Sequence, residues 1–340
     1  MSRVYVLGLC GMGFLMSVPR LPVPGETIQA QHMTTEPGGK GANQAVALAR
    51  LGNEVEFVTA LGRDSSGDVC LDFLAHEHVK TRYCIRVETP TTVGVVATER
   101  RNPASVEAGP VSAAPGDRSD TACNKDNMVI VYPGSATALH AEHVLVSAPA
   151  LDWADAVLLQ LEVPLEANLT AAREAARRGK PVFINPAPAP ESYQLADSRL
   201  RELLSLATLI TPNAVEAQQL LGLRPATDVS ISKATELVAS LAAFGPRQVV
   251  VTLGAQGAVA YDAGRIEHVP AHPVRVVDTT GAGDSFTAAL VSEILAGDSR
   301  PLLDAVHHAI RAAEICVSRA GVMASFPTAT EVAIARGHLQ

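Results

Sequence analysis

The chain has 340 residues, 47% apolar and 18% charged, with a formal net charge of −8. That is ample apolar material for a large buried core, so disorder is not the default. The acidic balance argues against a nucleic-acid or membrane-surface partner, whose binding faces are normally basic, although a local cluster of backbone N–H groups can still hold an anion.

Arg3 precedes an apolar stretch, Val4–Met16, with no small-x-small cleavage site and with Pro19, Pro22 and Pro24 close behind; it reads as a buried first strand rather than a signal segment. Within it, Val4–Leu7 is a short apolar run ending in glycines. Gly8, Gly11 and Gly13 stand in GxxGxG order with prolines where a helix should start, which sets aside a dinucleotide fingerprint. Thr27–Thr34 alternates and predicts a strand with one wet face. Apolar residues at helical spacing from Lys40 to Leu51, stopped by Gly52, predict a helix. Val55–Leu61 reads as a strand, Ser65–His76 as a helix, and Thr91–Thr98 as a second strand beside 27–34, with 128–132 a further candidate. Arg100–Asn127 has three prolines and few large apolar residues and is expected to be a disordered surface insertion.

Strands and helices then alternate. The expected strands are Ala156–Gln160, Pro181–Asn185, Thr208–Thr211 and Gln248–Leu253. The expected helices are Leu165–Arg178, Ala214–Leu221, Ser232–Phe244, Gly283–Leu295 and Leu302–Arg319. This order implies βαβ units and a parallel sheet covered on both faces. No apolar run approaches the roughly 20 residues of a membrane span. Five scattered cysteines without a Cys-x-x-Cys pair point to a reduced, cytoplasmic compartment, and the histidines show no metal-ligand spacing.

Two segments carry chemistry. In Val277–Phe286, a strand end leads through Gly281-Ala282-Gly283 into an apolar-periodic helix, which makes an anion hole at a helix N-terminus. Asp284 in that first turn either complements the helix dipole or serves as general base for a hydroxyl in phosphoryl transfer. In Pro37–Ala45, glycines surround Lys40 and Asn43, either as a plain turn or as a concave spot for a polyhydroxyl or phosphate-bearing ligand; the Walker A spacing is absent.

The runs GGKGANQA (38–45), NPAPA (185–189), TPNAVEA (211–217), TLGAQG (252–257) and DTTGAGDSF (278–286), in this order, resemble the ribokinase branch of the PfkB-type carbohydrate kinases. The resemblance implies one kinase domain over 1–340, three-layer α/β/α with a mostly parallel central sheet, and a small β lid from strands at about 27–34 and 91–98. It implies an ATP-dependent sugar kinase that is a homodimer through the lid, with D-ribose and ATP giving D-ribose 5-phosphate and ADP. By position, Asp284 matches the catalytic base, and Gly281, Ala282 and Gly283 the anion hole. Gly39, Lys40, Gly41, Ala42, Asn43 and Glu162 match sugar-binding positions, Glu162 being otherwise a surface carboxylate. Asn213 and Glu216 match the element that holds ATP phosphates and hydrated Mg2+, and they also read as a helix cap with its capping-box acid. Thr252, Leu253, Gly254, Ala255, Gln256 and Gly257 match the nucleotide turn, which also reads as a hairpin. Asp278, Thr280, Cys316, Arg319, Gly321 and Ser325 match a K+ site built largely of backbone oxygens.

The sequence departs from this pattern at Gly11 and Gly13, where the family has an Asn and an Asp that hold sugar hydroxyls. The departure implies vacated space at both positions. It leaves open another pentose, a hexose, a nucleoside, or a weakly catalytic sugar-binding homologue.

Overall fold

In this computed structural model, residues 1–99, 127–189, 197–297 and 301–337 are described. Strand β1 (Arg3–Leu7) is apolar on both sides and almost wholly buried. The apolar stretch that follows does not continue it. The chain breaks at Gly8–Cys10 and resumes as β2 (Gly11–Val18), which belongs to a different sheet with β3 (His32–Gly38). Helix α1 (Lys40–Arg50) buries Ala42, Ala45, Val46, Ala47 and Leu48, and β4 (Glu54–Val58), β5 (Ala60–Gly62) and α2 (Ser65–His76) come next. Asp64 caps α2 by accepting a 2.8 Å bond from the Gly67 N–H. Then come β6 (Ile85–Val87), β7 (Thr92–Glu99), β8 (Asn127–Tyr132) and the short helices α3 (Ala141–Val146) and α4 (Ala148–Trp153).

The second half alternates as expected. Strands β9 (Ala156–Gln160) and β10 (Val182–Asn185) flank α5 (Leu165–Arg177), and α6 (Ser198–Ser205) leads to β11 (Leu209–Ile210). Helices α7 (Ala214–Leu220) and α8 (Ile231–Ala242) precede β12 (Gln248–Thr252), β13 (Ala258–Asp262) and β14 (Arg265–Val269). The chain closes with α9 (Ala282–Ala296), α10 (Leu302–Val317) and α11 (Ala329–Gly337).

Among the described residues the main sheet runs β14-β13-β12-β11-β10-β9-β1-β4, parallel from β12 to β4 and antiparallel at β13 and β14. Alternation along each strand splits the core. Tyr5, Leu7, Leu159, Ile184 and Val251 face the layer that contains α5 and α8. Val4, Val6, Leu158, Phe183 and Val250 face the layer that contains α1, α9 and α10. This is the expected three-layer α/β/α arrangement. The strand order reverses between β1 and β9, which opens a crevice at their carboxyl ends where ligands of such sheets bind.

The small sheet is ordered β3-β2-β7-β8. Its strand boundaries differ from the expected 27–34 because β3 is defined by antiparallel pairing with β2, from Ser17↔His32 to Gly11↔Gly38. Residues 27–31 have no such partner, and the polar run 35–38 does. The expected strand at 55–61 also divides, since β5 leaves the main sheet to pair with β6. Of the expected insertion, Asn127 lies in β8 and 100–126 lie outside the described residues. Cys10, Cys70, Cys84 and Cys316 are free thiols, and among the described residues no helix is long and apolar enough to cross a membrane.

Candidate active site

Asp284 sits in the first turn of α9, 6% exposed, behind a helix start that requires Gly281 in the left-handed region at φ 82°. A β-carbon at Gly281 would also stand 2.9 Å from the Phe326 ring. Both carboxylate oxygens of Asp284 are held from α1. Asn43 Nδ2 donates to Oδ2 at 2.8 Å, and Gln44 Nε2 donates to Oδ1 at 2.9 Å. Asn43 Oδ1 is buried and has no partner within the described residues.

Gln44 is the hub of a buried amide chain. Its Nε2 also donates to Asn185 Oδ1 at 3.0 Å, and its Oε1 accepts from Gln160 Nε2 at 2.7 Å. Asn185 Nδ2 donates to the Thr211 carbonyl at 2.7 Å, and the Thr211 and Thr287 hydroxyls lie 3.2 Å apart. The network fixes Asp284 against the ends of β9, β10 and β11. Gln44 and Asn185 lie in runs that stood out in the sequence, but their amides carry no periodic or cap signal, so neither acquired a role there.

Lys40 opens α1. Its backbone N–H donates to Glu162 Oε2 at 2.6 Å across the β1–β9 crevice. Burial depresses the Lys40 ammonium, yet Asp284, Glu162 and Glu216 together outweigh it and leave its pKa raised. Burial raises the Glu162 carboxyl to about 7, against the opposing pull of Lys40 and of the Lys40 and Gly41 N–H groups. Glu216 is likewise raised by burial, with Asp284 adding and Lys40 opposing. Three carboxylates thus converge electrostatically on one ammonium.

Glu162 yields a stability prediction. Folded and unfolded chains both carry the proton below about pH 4.5, and the burial cost of the charge appears as pH rises through about 7. Stability contributed by this group is therefore lost across that window. Glu162→Gln is expected to flatten the decline, read as denaturation midpoints at about pH 5 and 8. An unchanged slope would remove Glu162 from the account.

Gly41 and Ala42 are buried beneath this site. A β-carbon on Gly41 would lie 2.7 Å from backbone atoms of Gly8 and Leu9, and the Ala42 N–H donates to the Leu9 carbonyl at 3.1 Å. Gly39, at φ 99°, would meet Leu9 at 2.3 Å. These small residues seat α1 on the end of β1. Neither a plain turn nor a ligand spot, the two expectations for this run, includes that packing role. The space expected at Gly11 is likewise filled, since a β-carbon there would stand 2.4 Å from the Thr92 carbonyl oxygen. At Gly13 the nearest atoms, Leu15 Cδ1 and the Glu36 carbonyl oxygen, are 3.2 and 3.4 Å away, and a β-carbon fits with a small shift.

Next to this site, Asn213 and Glu216 form a reciprocal capping box on α7, each backbone N–H donating to the other's side chain at 2.8 Å. Asn213, Thr252, Leu253, Gly254 and Gln256 line a cavity of about 260 Å³ with Ala214 and Val215, joined by Thr227 and Val229, which lie outside the sequence motifs. Ala255 and Gly257 complete the turn without lining the cavity. Gly283 is exposed, with nothing within 4 Å of a β-carbon position. Beyond the helix start, Asp278 Oδ1 accepts from the Thr280 hydroxyl at 2.8 Å, and Cys316 Sγ lies 3.9 Å from the Thr280 carbonyl oxygen and 3.0 Å from Ser325 Oγ. Burial pushes the Cys316 thiol up to about 11, so it stays neutral. Gly321 turns the adjoining loop at φ 86°, while the Arg319 side chain is paired with Glu331.

A family profile described as pfkB family carbohydrate kinase matches residues 1–329. A ribokinase of Haemophilus influenzae is 33% identical over 326 residues, 96% of this chain and 95% of that protein. A ribokinase of Bacillus subtilis is 33% identical over 333 residues, 98% of each. The structure of Arabidopsis thaliana ribokinase complexed with ribose and ATP superimposes with a TM-score of 0.80 at 28% identity, covering 98% of both chains.

Proposed function

The chain belongs to the pfkB family of carbohydrate kinases, and we propose that it transfers the γ-phosphoryl group of ATP to the primary hydroxyl of D-ribose, giving D-ribose 5-phosphate and ADP. The observation that carries this reading is Asp284, a buried carboxylate fixed on both oxygens by Asn43 and Gln44 at the start of α9. Asp284 takes the hydroxyl proton, the sugar oxygen attacks the γ-phosphorus in line, and the bond from that phosphorus to the β,γ-bridging oxygen breaks. The N–H groups of Gly281, Ala282 and Gly283 face the charge on the group in transfer. Lys40, Gly39, Asn43 and Glu162 orient the sugar.

The cavity beside Asn213 takes the nucleotide, with Val215, Val229 and Leu253 as apolar walls for a base. Glu216, half-buried at its rim, suits Mg2+, a cation that keeps most of its waters and rides on phosphates, so one carboxylate is enough. When bound, Mg2+ supplies charge neutralisation on the phosphates. Asp278 and the Thr280 carbonyl, with the loop through Cys316, Arg319, Gly321 and Ser325, offer the hard oxygen donors that K+ takes. The Cys316 and Ser325 side chains are bonded to each other, so their contribution is from the backbone.

The small sheet closes over the sugar and excludes water. Its edge strand β8 leaves Val129, Ile130 and Val131 more than half exposed, which supports pairing with a second copy as a homodimer. A monomeric sedimentation coefficient would remove that assembly.

The test is ADP release with a panel of pentoses, hexoses and nucleosides, with and without potassium in sodium-free buffer. The largest kcat/KM is expected on D-ribose, stimulated by potassium. Preference for another sugar would replace ribose but keep the kinase. Saturable binding with no ADP on any acceptor would make the chain a binding homologue, and equal rates without potassium would remove K+.

A further inference from the structure

Gly13 lacks the acid that its position implies, but an acid stands directly across from it. Gly13 of β2 pairs with Glu36 of β3 in the antiparallel ladder, so the two residues project from the same face. The neighbouring pair, Met12 and Pro37, is buried on the opposite face, with Met12 in the core beside α1. A β-carbon on Gly38, two residues along, meets nothing within 4 Å. Glu36 lies near the Val322 N–H and close enough to Asp278, before the start of α9, that the two carboxylates repel. Its Oε1 is buried with no partner within the described residues. A buried carboxylate oxygen left without a donor is costly, and a ligand hydroxyl removes that cost.

We propose that Glu36 is a sugar-specificity residue, whose Oε1 accepts hydrogen bonds from the ring hydroxyls that an acid at position 13 would otherwise hold. The acid has moved to the cross-strand partner. Glu36 reaches the same face from β3 on a side chain one methylene longer, which displaces the hydroxyl pair it serves. The inference rests on the sugar-kinase reading and deepens it.

The experiment compares wild type with Glu36→Ala, Glu36→Gln and the Gly13→Asp/Glu36→Ala pair. It reads sugar KM, ATP KM, half-saturation by potassium, the thermal midpoint, and calorimetric binding of D-ribose without ATP. Glu36→Ala is expected to raise sugar KM about tenfold, the equivalent of one charged hydrogen bond, with ATP KM held within about twofold. The double variant is expected to recover most of the loss. Unchanged sugar KM in an active Glu36→Ala enzyme would overturn the proposal while leaving the kinase reading intact. So would a shift in potassium half-saturation alone, or a raised KM with a lowered thermal midpoint and no recovery at position 13. Wild type without turnover on any sugar would defeat the kinase reading itself. In that case the proposal stands or falls on whether Glu36→Ala weakens calorimetric sugar binding.

Discussion

Asp284→Asn is expected to lower kcat by about 10²–10⁴-fold, the usual contribution of a positioned general base, and to leave sugar affinity within a few-fold of wild type. The substitution is nearly isosteric, and the site can absorb it. Asn43 Nδ2 and Gln44 Nε2 each donate to one oxygen of Asp284, so an asparagine amide would set one NH2 against another donor. The unpartnered Asn43 Oδ1 resolves that conflict by rotation of the Asn43 amide, which presents an acceptor instead. The fold therefore survives, the rotation costs the sugar at most one neutral hydrogen bond at Asn43, and what disappears is the capacity to take the proton. Steady-state kinetics with D-ribose, together with a thermal midpoint, make the measurement. A kcat near that of wild type would remove Asp284 from the role of base.

Gly41→Ala is expected to damage both stability and turnover without altering any group that touches a ligand. Its β-carbon would lie 2.7 Å from the Gly8 Cα and carbonyl carbon and from the Leu9 nitrogen, all of them backbone atoms that cannot swing aside. Overpacking of this kind costs about 1–3 kcal/mol. Relief requires α1 to lift from the end of β1, and α1 carries Asn43 and Gln44. A displacement of about 1 Å at the reacting groups can cost on the order of 10²-fold in rate. Gly94→Ala in β7, where nothing lies within 4 Å of the added carbon, serves as the control and is expected to be near neutral in stability. Equal behaviour of the two variants would show that the glycine contact between α1 and β1 carries no constraint.

The two predictions differ in how far the sequence points to them. Asp284 stands in a glycine–helix signature that reads either as a cap or as a base, and the strand end expected before it at Val277 is not a strand in the structure, since β14 ends at Val269 and the chain forms no strand from there to α9. The alternation of apolar runs with helical periods was enough to order β1, β9, β10 and β12 between their helices. Helix α2 falls on the expected Ser65–His76 because an N-cap acid and an apolar period define it locally. The small sheet was less legible. Its strands are half exposed, so their limits come from the partner strand, and β3 sits several residues beyond the expected segment. Thr227 and Val229 entered the cavity beside Asn213 from a stretch with no pattern of its own.

What the sequence determined by itself is the layered architecture, the order of its motifs, and a glycine turn into a helix whose first turn carries an acid at 281–284. These depend on residues close together in the chain, where period, caps and turn chemistry act. Tertiary structure alone decided the remainder. It assigned Gly39 and Gly41 to close packing on Leu9 and Gly8, joined Gln44 to Asn185, Gln160 and Asp284, and filled the space at Gly11 with Thr92. It also placed Glu36 opposite Gly13. Each of these is a contact between segments remote in the chain, fixed by strand order and by the depth at which α1 seats against β1, and neither quantity has a local signature in the residues themselves.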